Sequence, residues 1–440
     1  MREPSRRSRI PIHGSPSARA VVQDVQTLLE DGRARALELL QANLGPLGIR
    51  AAEPGSRARA RAYDAVFARD AGVCALAMLR SRQPRLIHGA GRSLQTLALH
   101  QADNGQNPKF CSARHDADFW YVGCIDATLW WLIALAELER LAPAAGLLSK
   151  VKQHVGRALT WLQCQEHPRL QLLSQNEASD WADIMPRSGF VLYTNALWYH
   201  VKCAYRLPGS AQTVYHFNHL FFPFARDVPE YRRLRLLADF ARVGAKTRRL
   251  YLSYVNFSFF GDEGDVFGNV LAVLLGLADE RRARAIVAAL GQAAVDWPWP
   301  ARATCVPIRE NSREWRAYMG RHRQNLEYQY HNGGCWPLIG GFWVMALARY
   351  GSPWTAQDTL VRLAQANAQN DWQFNEWFHG RSGAPRGMPG QSWSAAAYLL
   401  AYDAVARSGA LNRTSTQPNR TSTQKRKGRK GPQKKSRKDD

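Results

Sequence analysis

The stretch CIDATLWWLIALAE, residues 124–137, places one acid, Asp126, near the start of an otherwise apolar run. Apolar residues continue at helical spacing to Leu141, so we predict a buried helix that begins beside the acid. Three further segments, 67–79, 179–199 and 374–380, show an acid followed by an apolar helical continuation. Each acid alone is explained by helix capping. If several such helices begin at one end of a barrel, however, their acids converge on one site.

The helical pattern extends from Val21 to about Ala410. Apolar residues recur at three- and four-residue spacing over 21–40 and 266–290, and similar helices are predicted at 195–205, 338–350, 356–367 and 392–406. Few runs alternate with the period of a strand. Short Gly-, Pro-, Asn- and Asp-rich segments separate the helices, and no change in composition divides the region. We therefore predict one all-α domain of paired helices over residues 21–410.

The two ends of the chain differ from this region. The formal net charge is +23, and residues 413–440 contain eleven Lys/Arg against two Asp. We expect a basic, flexible N-terminus at 1–20 and a disordered basic tail at 411–440, because neither contains enough apolar residues to form a core. The tail fits electrostatic contact with RNA, DNA or another polyanion, but the favoured interpretation is a solvated segment with only non-specific affinity.

Cysteine usage and hydropathy bear on the compartment. The seven cysteines are odd in number and lack C-x-x-C spacing, which favours a reduced compartment. The N-terminus has no apolar signal region, and the apolar runs fall short of the ~18 residues that a membrane span needs. We expect a cytoplasmic protein without membrane segments. We expect no cofactor and no metal site, and a homo-oligomer is compatible with the sequence.

Two carboxylates in aromatic surroundings suit glycoside hydrolysis. Glu376 lies among Phe374, Trp377 and Phe378, and Asp126 precedes Trp130 and Trp131. One carboxyl must keep its proton near neutral pH, which apolar burial favours by raising its pKa, while the other stays ionised. Their separation determines inversion or retention, and the sequence leaves that distance open. The 15 tryptophans suit both a core and the faces of sugar rings.

A second polar and aromatic cluster is EYQYHNGGCWPLIGGFW, residues 327–343. Gly333 and Gly334 allow a tight turn beside His331 and Asn332. These two side chains suit hydrogen bonds to sugar hydroxyls, with Trp336 stacked on a ring. A histidine in a core loop serves structure as readily as binding, so both interpretations stay open.

The order of these motifs resembles a known family. YDAVFARDAGVCALAML, IDATLWWLIAL, DVFGNVLAVLLGLAD, YHNGGCWP, FNEW and GMPGQSWSAAAYLLAY together resemble the alkaline/neutral invertases. They resemble more loosely the glucosidase domain of glycogen-debranching enzymes, and both groups are six-hairpin glycosidases. The similarity extends over about residues 60 to 405.

The resemblance implies an (α/α)6 barrel and an inverting reaction that cleaves sucrose to glucose and fructose. It implies Asp126 as general acid and Glu376 as general base. The other positions that it implies in a sugar-binding site are Arg69, Asp70, Trp130, Asp180, Asp183, His331, Asn332, Trp336, Gln391 and Trp393.

The sequence also departs from that family. FNEWFHGRSG replaces the invertases' Pro-Glu-Tyr-Tyr run, which leaves sucrose and an α-1,6-linked glucan both open as substrates. The roughly 60 residues before the first motif favour the invertase side, because debranching glucosidases usually carry a further N-terminal domain. A non-catalytic carbohydrate- or polyanion-binding protein is the alternative outside the enzyme class.

Overall fold

The computed structural model describes residues 18–112, 116–119, 124–224, 234–256 and 259–409. Most of the predicted N-terminal segment 1–20 and the whole tail 411–440 lie outside these residues. Within the described ranges, twelve helices follow one another as six hairpins. They are α1 (Ala18–Ala42), α2 (Ala68–Arg80), α3 (Pro84–Leu99), α4 (Ile125–Leu141), α5 (Lys152–Gln163), α6 (Leu192–Ala204), α7 (Ser210–Leu220), α8 (Val266–Leu274), α9 (Glu280–Gln292), α10 (Pro337–Tyr350), α11 (Pro353–Asn367) and α12 (Ser392–Arg407).

The even-numbered helices form a closed inner ring. α2 packs on α4, α4 on α6, α6 on α8, α8 on α10, α10 on α12, and α12 returns to α2. The odd-numbered helices pack outside this ring, each against one or two inner helices. This is the predicted (α/α)6 barrel, and the fold prediction is confirmed.

The inner helices are apolar on most sides because each is surrounded by neighbours. In α4 every residue from Ile125 to Leu135 is buried. α10 and α12 approach especially closely, since a Cβ added at Gly341 would lie 2.4 Å from the Ala397 carbonyl oxygen. α10 also begins with Pro337, which suits the first turn of a helix.

The continuous helical pattern predicted over residues 266–290 is divided in the structure. α8 ends at Leu274 and α9 begins at Glu280. Gly276 takes a left-handed φ of +84°, and the Asp279 side chain caps α9 by accepting a hydrogen bond from the Arg282 N–H. The helical spacing of apolar residues continues across this turn, so periodicity alone could not predict the break between α8 and α9.

Within the described residues, short strands occupy the loops between helices and form four antiparallel sheets. The sheets pair β1 with β2, β3 with β4 and β4 with β5, β6 with β7 and β7 with β8, and β9 with β10. β3 directly precedes α2 and β7 directly precedes α6, so two inner helices start from a sheet. The strands are β1 (Leu44–Gly45), β2 (Gly48–Ile49), β3 (Val66–Phe67), β4 (Phe110–Cys111), β5 (Ala117–Asp118), β6 (Ser174–Gln175), β7 (Gly189–Val191), β8 (Tyr254–Val255), β9 (Trp377–Phe378) and β10 (Pro385–Arg386).

The described residues also form further helices that are not part of the barrel. These α-helices span Ser56–Ala60, Leu147–Lys150, Leu234–Gly244, Ala317–Gly320 and Gln369–Trp372, and 3-10 turns span Pro143–Ala145 and Arg321–Arg323. Among the described helices, none combines the length and the apolar character that crossing a bilayer requires. All seven cysteines fall in described ranges and are free thiols.

Candidate active site

The acids singled out in the sequence lie at the end of the barrel where the inner helices begin. Asp70 and Asp126 occupy the first turns of α2 and α4, whose N-caps are Phe67 and Cys124. The expectation that an apolar helix follows each acid is wrong for Glu376, which immediately precedes strand β9. The apolar segment FNEWF resembles a helix start, but pairing of β9 with β10 determines its backbone instead.

Asp126 is fully buried, and one of its two carboxylate oxygens accepts two hydrogen bonds. The Arg69 guanidinium donates to its Oδ2 at 3.0 Å, and the Tyr193 hydroxyl donates to the same atom at 3.1 Å. The Trp130 indole N–H in turn donates to the Tyr193 hydroxyl at 2.7 Å. The other oxygen, Oδ1, is contacted by Cys124 Sγ at 3.9 Å. The carboxylate is therefore oriented by two donors on one side.

Glu376 is held by two different donors. The Tyr63 hydroxyl donates to Oε1 at 2.8 Å, and the Met388 backbone N–H donates to Oε2 at 2.9 Å. Burial raises the pKa of Glu376, although both hydrogen bonds counteract this rise. Gly387 allows the close approach, since its φ is +73° and an added Cβ would lie 2.4 Å from Oε2.

Asp70 connects these two carboxyl groups electrostatically. Burial raises its pKa to about 7, Arg69 opposes the rise, and the charges of Glu376 and Asp126 add to it. Because the charges of Asp126 and Glu376 both raise the pKa of Asp70, each of them lies within electrostatic range of Asp70 despite their separation in sequence. Asp183 belongs to the same group, because its charge also helps to raise the pKa of Glu376. We call Asp70, Asp126, Asp183 and Glu376 the carboxylate cluster.

Asp183 is the least buried member of this cluster. Its Oδ2 lies 3.3 Å from Lys109 Nζ, and its Oδ1 lies 3.9 Å from His331 Nδ1. Burial lowers the pKa of His331 well below its usual value, and Arg187, Arg69 and Lys109 add to this effect. The imidazole is therefore neutral at pH 7, and its Nδ1 has no hydrogen-bond partner among the described residues.

Aromatic rings surround the cluster. The His331 ring stacks on Trp336 at 5.2 Å between centroids and meets Trp181 edge-on at 4.9 Å. The Trp393 ring lies 5.7 Å from the Arg69 guanidinium carbon. Trp336 and Trp130 are themselves almost fully buried, and their indole N–H groups donate to Tyr330 O and to the Tyr193 hydroxyl. These two indoles thus support other side chains of the site, and their direct contact with a sugar stays a prediction.

Two of the predicted sugar-binding residues, Asn332 and Asp180, already hydrogen-bond to other residues of the protein. The Asn332 amide accepts from Ile308 N at 2.7 Å and donates to Ile308 O and Asn325 O. Asp180 accepts from Gln175 Nε2 and from Ala182 N, and burial raises its pKa to about 6. Both residues shape the loops behind the cluster, and sugar contact by either stays a prediction.

Gln391 is fully buried at the N-cap of α12. Neither atom of its side-chain amide has a hydrogen-bond partner among the described residues. A buried amide without a partner is costly, so Gln391 is available to a polar ligand.

The structure adds residues that the sequence reasoning did not assign. Tyr63 opens the motif YDAVFARD, and an aromatic hydroxyl in a motif otherwise rich in acids was the available signal. No feature of the sequence around Tyr193 or Arg187 indicated that these residues belong to the site. Arg187 is buried 3.2 Å from Asp265 Oδ1 and 3.8 Å from Glu263 Oε1, so it balances acids at the start of α8.

Comparisons with known proteins bear on this geometry. A sequence model described as alkaline and neutral invertase matches residues 249–407, which include Glu376 and His331 but not Asp126. The alkaline/neutral invertase E, chloroplastic, of Arabidopsis thaliana is 23% identical over 89% of this chain and 74% of its own length. The resemblance to the alkaline/neutral invertases is confirmed. The probable alkaline/neutral invertase F of the same plant is 32% identical over 30% of this chain, a match that spans 27% of that protein.

Solved structures share the fold at low identity. The GH63 mannosylglycerate hydrolase of Thermus thermophilus superimposes with a TM-score of 0.58 at 14% identity, over 84% of this chain and 99% of that chain. The Hormoconis resinae glucoamylase gives a TM-score of 0.59 at 12% identity, over 88% of this chain and 74% of that chain. Likeness at this identity shows that the chain shares the (α/α)6 barrel fold of these proteins.

Proposed function

We propose that this protein is an inverting glycoside hydrolase that cleaves sucrose to glucose and fructose. The observation that carries the proposal is the burial of Asp126, Asp70 and Glu376 around one aromatic-walled site at the starting end of the inner helices. Two carboxyl groups in such surroundings supply the acid and the base that glycoside hydrolysis needs.

Asp126 acts as the general acid in this proposal. The proton is carried on Oδ1, since Oδ2 accepts from Arg69 and Tyr193, and it passes to the glycosidic oxygen as the bond from that oxygen to the anomeric carbon breaks. Arg69 and Tyr193 then stabilise the carboxylate that remains, because both donate to Oδ2. Donors that bind the charge formed during the reaction lower the barrier more than donors that bind the substrate alone.

Glu376 acts as the general base. It takes a proton from a water molecule whose oxygen attacks the anomeric carbon from the opposite face, which inverts the configuration. Tyr63 and the Met388 N–H fix the orientation of both carboxylate oxygens. Asp70, Asp183, His331 and Gln391 are the groups that we assign to sugar hydroxyls, with Trp393 beside the ring.

Substrate and stereochemistry are tested together. Purified protein is incubated with sucrose, and separately with panose and isomaltose, while proton NMR follows the first anomer released. Sucrose cleavage that yields β-glucose from the α-glucoside supports the proposal. Initial release of α-glucose refutes inversion, and activity on isomaltose without activity on sucrose selects an α-1,6-glucosidase instead.

The two catalytic roles are tested by substitution. Asp126→Asn and Glu376→Gln should each lower kcat by about 10²–10⁴-fold, the usual contribution of a general acid or base. Asp358→Asn and Glu280→Gln alter exposed carboxylates of α11 and α9 and serve as matched controls. Full activity in either site variant, with an unchanged melting temperature, would exclude that residue from the chemistry.

The non-catalytic alternative makes a separate prediction. A polyanion-binding protein that acts through residues 411–440 would bind nucleic acid with an affinity that falls steeply as salt rises. Such binding would disappear on truncation after Leu411 and would survive Asp126→Asn. Sucrose cleavage by the truncated chain would reject that alternative as the main function.

A further inference from the structure

A cavity of about 950 Å³ opens at the other end of the barrel, where the inner helices finish. Residues from the C-terminal halves of all six inner helices line it, so it lies opposite the carboxylate cluster. Its volume falls within the range of about 300–1,000 Å³ that small-molecule sites occupy. Its floor is apolar and includes Trp130, Ile133, Leu197, Leu271, Phe342 and Met345.

The rim of this cavity is strongly basic. Arg80, Arg140, Arg206, Arg349 and Arg407 line it together with two carboxylates, Glu137 and Glu139. An adjoining groove of about 750 Å³ adds Arg33 and Arg82 beside Asp403. Of the rim arginines in the described ranges, Arg80 and Arg140 are ion-paired, and both pair with Glu137.

Arginines are expected near helix C-termini, where they offset the negative end of the dipole. Arg80 donates to Leu76 O and Arg349 donates to Leu274 O, which accounts for these two side chains. Arg140 and Arg407 likewise lie in the last turns of α4 and α12, and because the inner helices end together these arginines are crowded around one cavity. Burial lowers the pKa of Arg80, and the charges of Arg140 and Arg407 lower it further against the opposing effect of Glu137. Like charges held together over an apolar floor favour an anionic ligand.

We propose that this barrel-end cavity binds an amphipathic anion, a molecule with an apolar body for the floor and one acidic head group for the arginines. The apolar body of the ligand would cover the apolar floor and exclude water from it. Its acidic head group would neutralise the positive charge of the rim arginines. Carboxylate, sulfonate and phosphate head groups all suit the planar, multiply donating guanidinium group.

The cavity is connected to the carboxylate cluster through Trp130. Trp130 lines the cavity, and its indole N–H donates to the Tyr193 hydroxyl at 2.7 Å. Tyr193 donates in turn to Asp126 Oδ2 at 3.1 Å. A ligand against this indole is therefore two hydrogen bonds from the proposed general acid. The expected effect on turnover rests on the proposed function, whereas binding itself does not.

Binding is tested with anilinonaphthalene sulfonate, a fluorescent aromatic sulfonate. The full chain should bind it saturably, and decanoate should displace it far better than decanol. The variant Arg349→Gln/Arg407→Gln should weaken binding at least about tenfold, since hydrogen bonds to charged groups contribute that much. Arg284→Gln, on the exposed face of α9, is the matched control and should leave binding unchanged.

Three outcomes would overturn the site. Equal displacement by decanol would show an apolar surface without anion selectivity. Unchanged affinity in the double arginine variant would place the probe elsewhere. Ala136→Trp fills the cavity from α4 and should abolish binding, so persistent binding in a variant with a native melting curve would also refute the proposal.

The connection to turnover is tested with the same ligand. Decanoate at saturation should change kcat/KM for the glycoside substrate by about fivefold or more, the usual lower range of allosteric coupling. Trp130→Phe should bind the probe but lose this response, because phenylalanine cannot donate to Tyr193. Binding without any effect on wild-type turnover refutes the coupling. A chain that binds decanoate but cleaves no glycoside refutes the proposed function and leaves the cavity assignment standing.

Discussion

Replacing Tyr63 with phenylalanine tests the assignment of Glu376 as the base. The Tyr63 hydroxyl donates to Glu376 Oε1 at 2.8 Å and thereby lowers the pKa of that carboxyl group. Without this donor the ionised form loses a hydrogen bond, so the pKa of Glu376 rises. A general base must be ionised to act, so the acidic limb of the pH profile should move to higher pH.

The size of the shift follows from the hydrogen bond that is lost. A hydrogen bond to a charged group contributes about 1.5–3 kcal/mol, and one pKa unit corresponds to about 1.4 kcal/mol. The acidic limb of kcat/KM should therefore move upward by about one to two units. The Met388 N–H still binds Oε2, so the carboxylate keeps its orientation and the activity above this limb is retained.

The assay measures initial rates of sucrose cleavage from about pH 4 to pH 9. Tyr205→Phe is the matched control, because its hydroxyl donates to Leu132 O, far from the carboxylate cluster. A shift of the alkaline limb with an unchanged acidic limb would assign Glu376 as the acid. No shift of either limb would refute control of Glu376 by Tyr63.

Two further predictions concern stability. Asn332→Ala removes hydrogen bonds to Ile308 and Asn325 and should lower the free energy of unfolding by about 1–3 kcal/mol, as measured by urea denaturation. An unchanged urea midpoint would show that water replaces the amide without loss. Arg187→Met leaves Glu263 and Asp265 buried without their cation and should cost about 3–5 kcal/mol. A stability equal to wild type at pH 7 would refute the role of Arg187 in balancing these two acids.

The sequence predicted the fold class because helical spacing is a local property. The apolar stretches around Trp130 and Phe342 are buried on most sides, as central helices require. The hairpin turn near Gly276 was missed because apolar spacing continued across it, and only φ and capping distinguish the two cases. The strand after Glu376 was missed because strand pairing with Pro385–Arg386 is not local.

The acidic residues of the site could be predicted from the sequence, but the residues that hydrogen-bond to them could not. Asp126 and Glu376 lie in recognisable motifs, whereas Tyr63 meets Glu376 across 313 positions and Tyr193 meets Asp126 across 67. Such pairings exist only once the ring of inner helices has closed. For the same reason, the sequence could not distinguish Trp336, which supports His331 from behind, from an exposed sugar platform.

The ring of inner helices closes between its first member and its last. Asn43, just after α1, donates to Gly390 O and to Ser392 Oγ at the start of α12, and α12 packs on α2. On the ribosome, Asp126 therefore emerges long before Glu376 can be fixed opposite it. A nascent chain released before α12 already contains all four acids of the carboxylate cluster but lacks the helix that closes the ring, so it should be inert. The proposed hydrolytic activity should therefore appear abruptly with the final helix rather than grow with chain length.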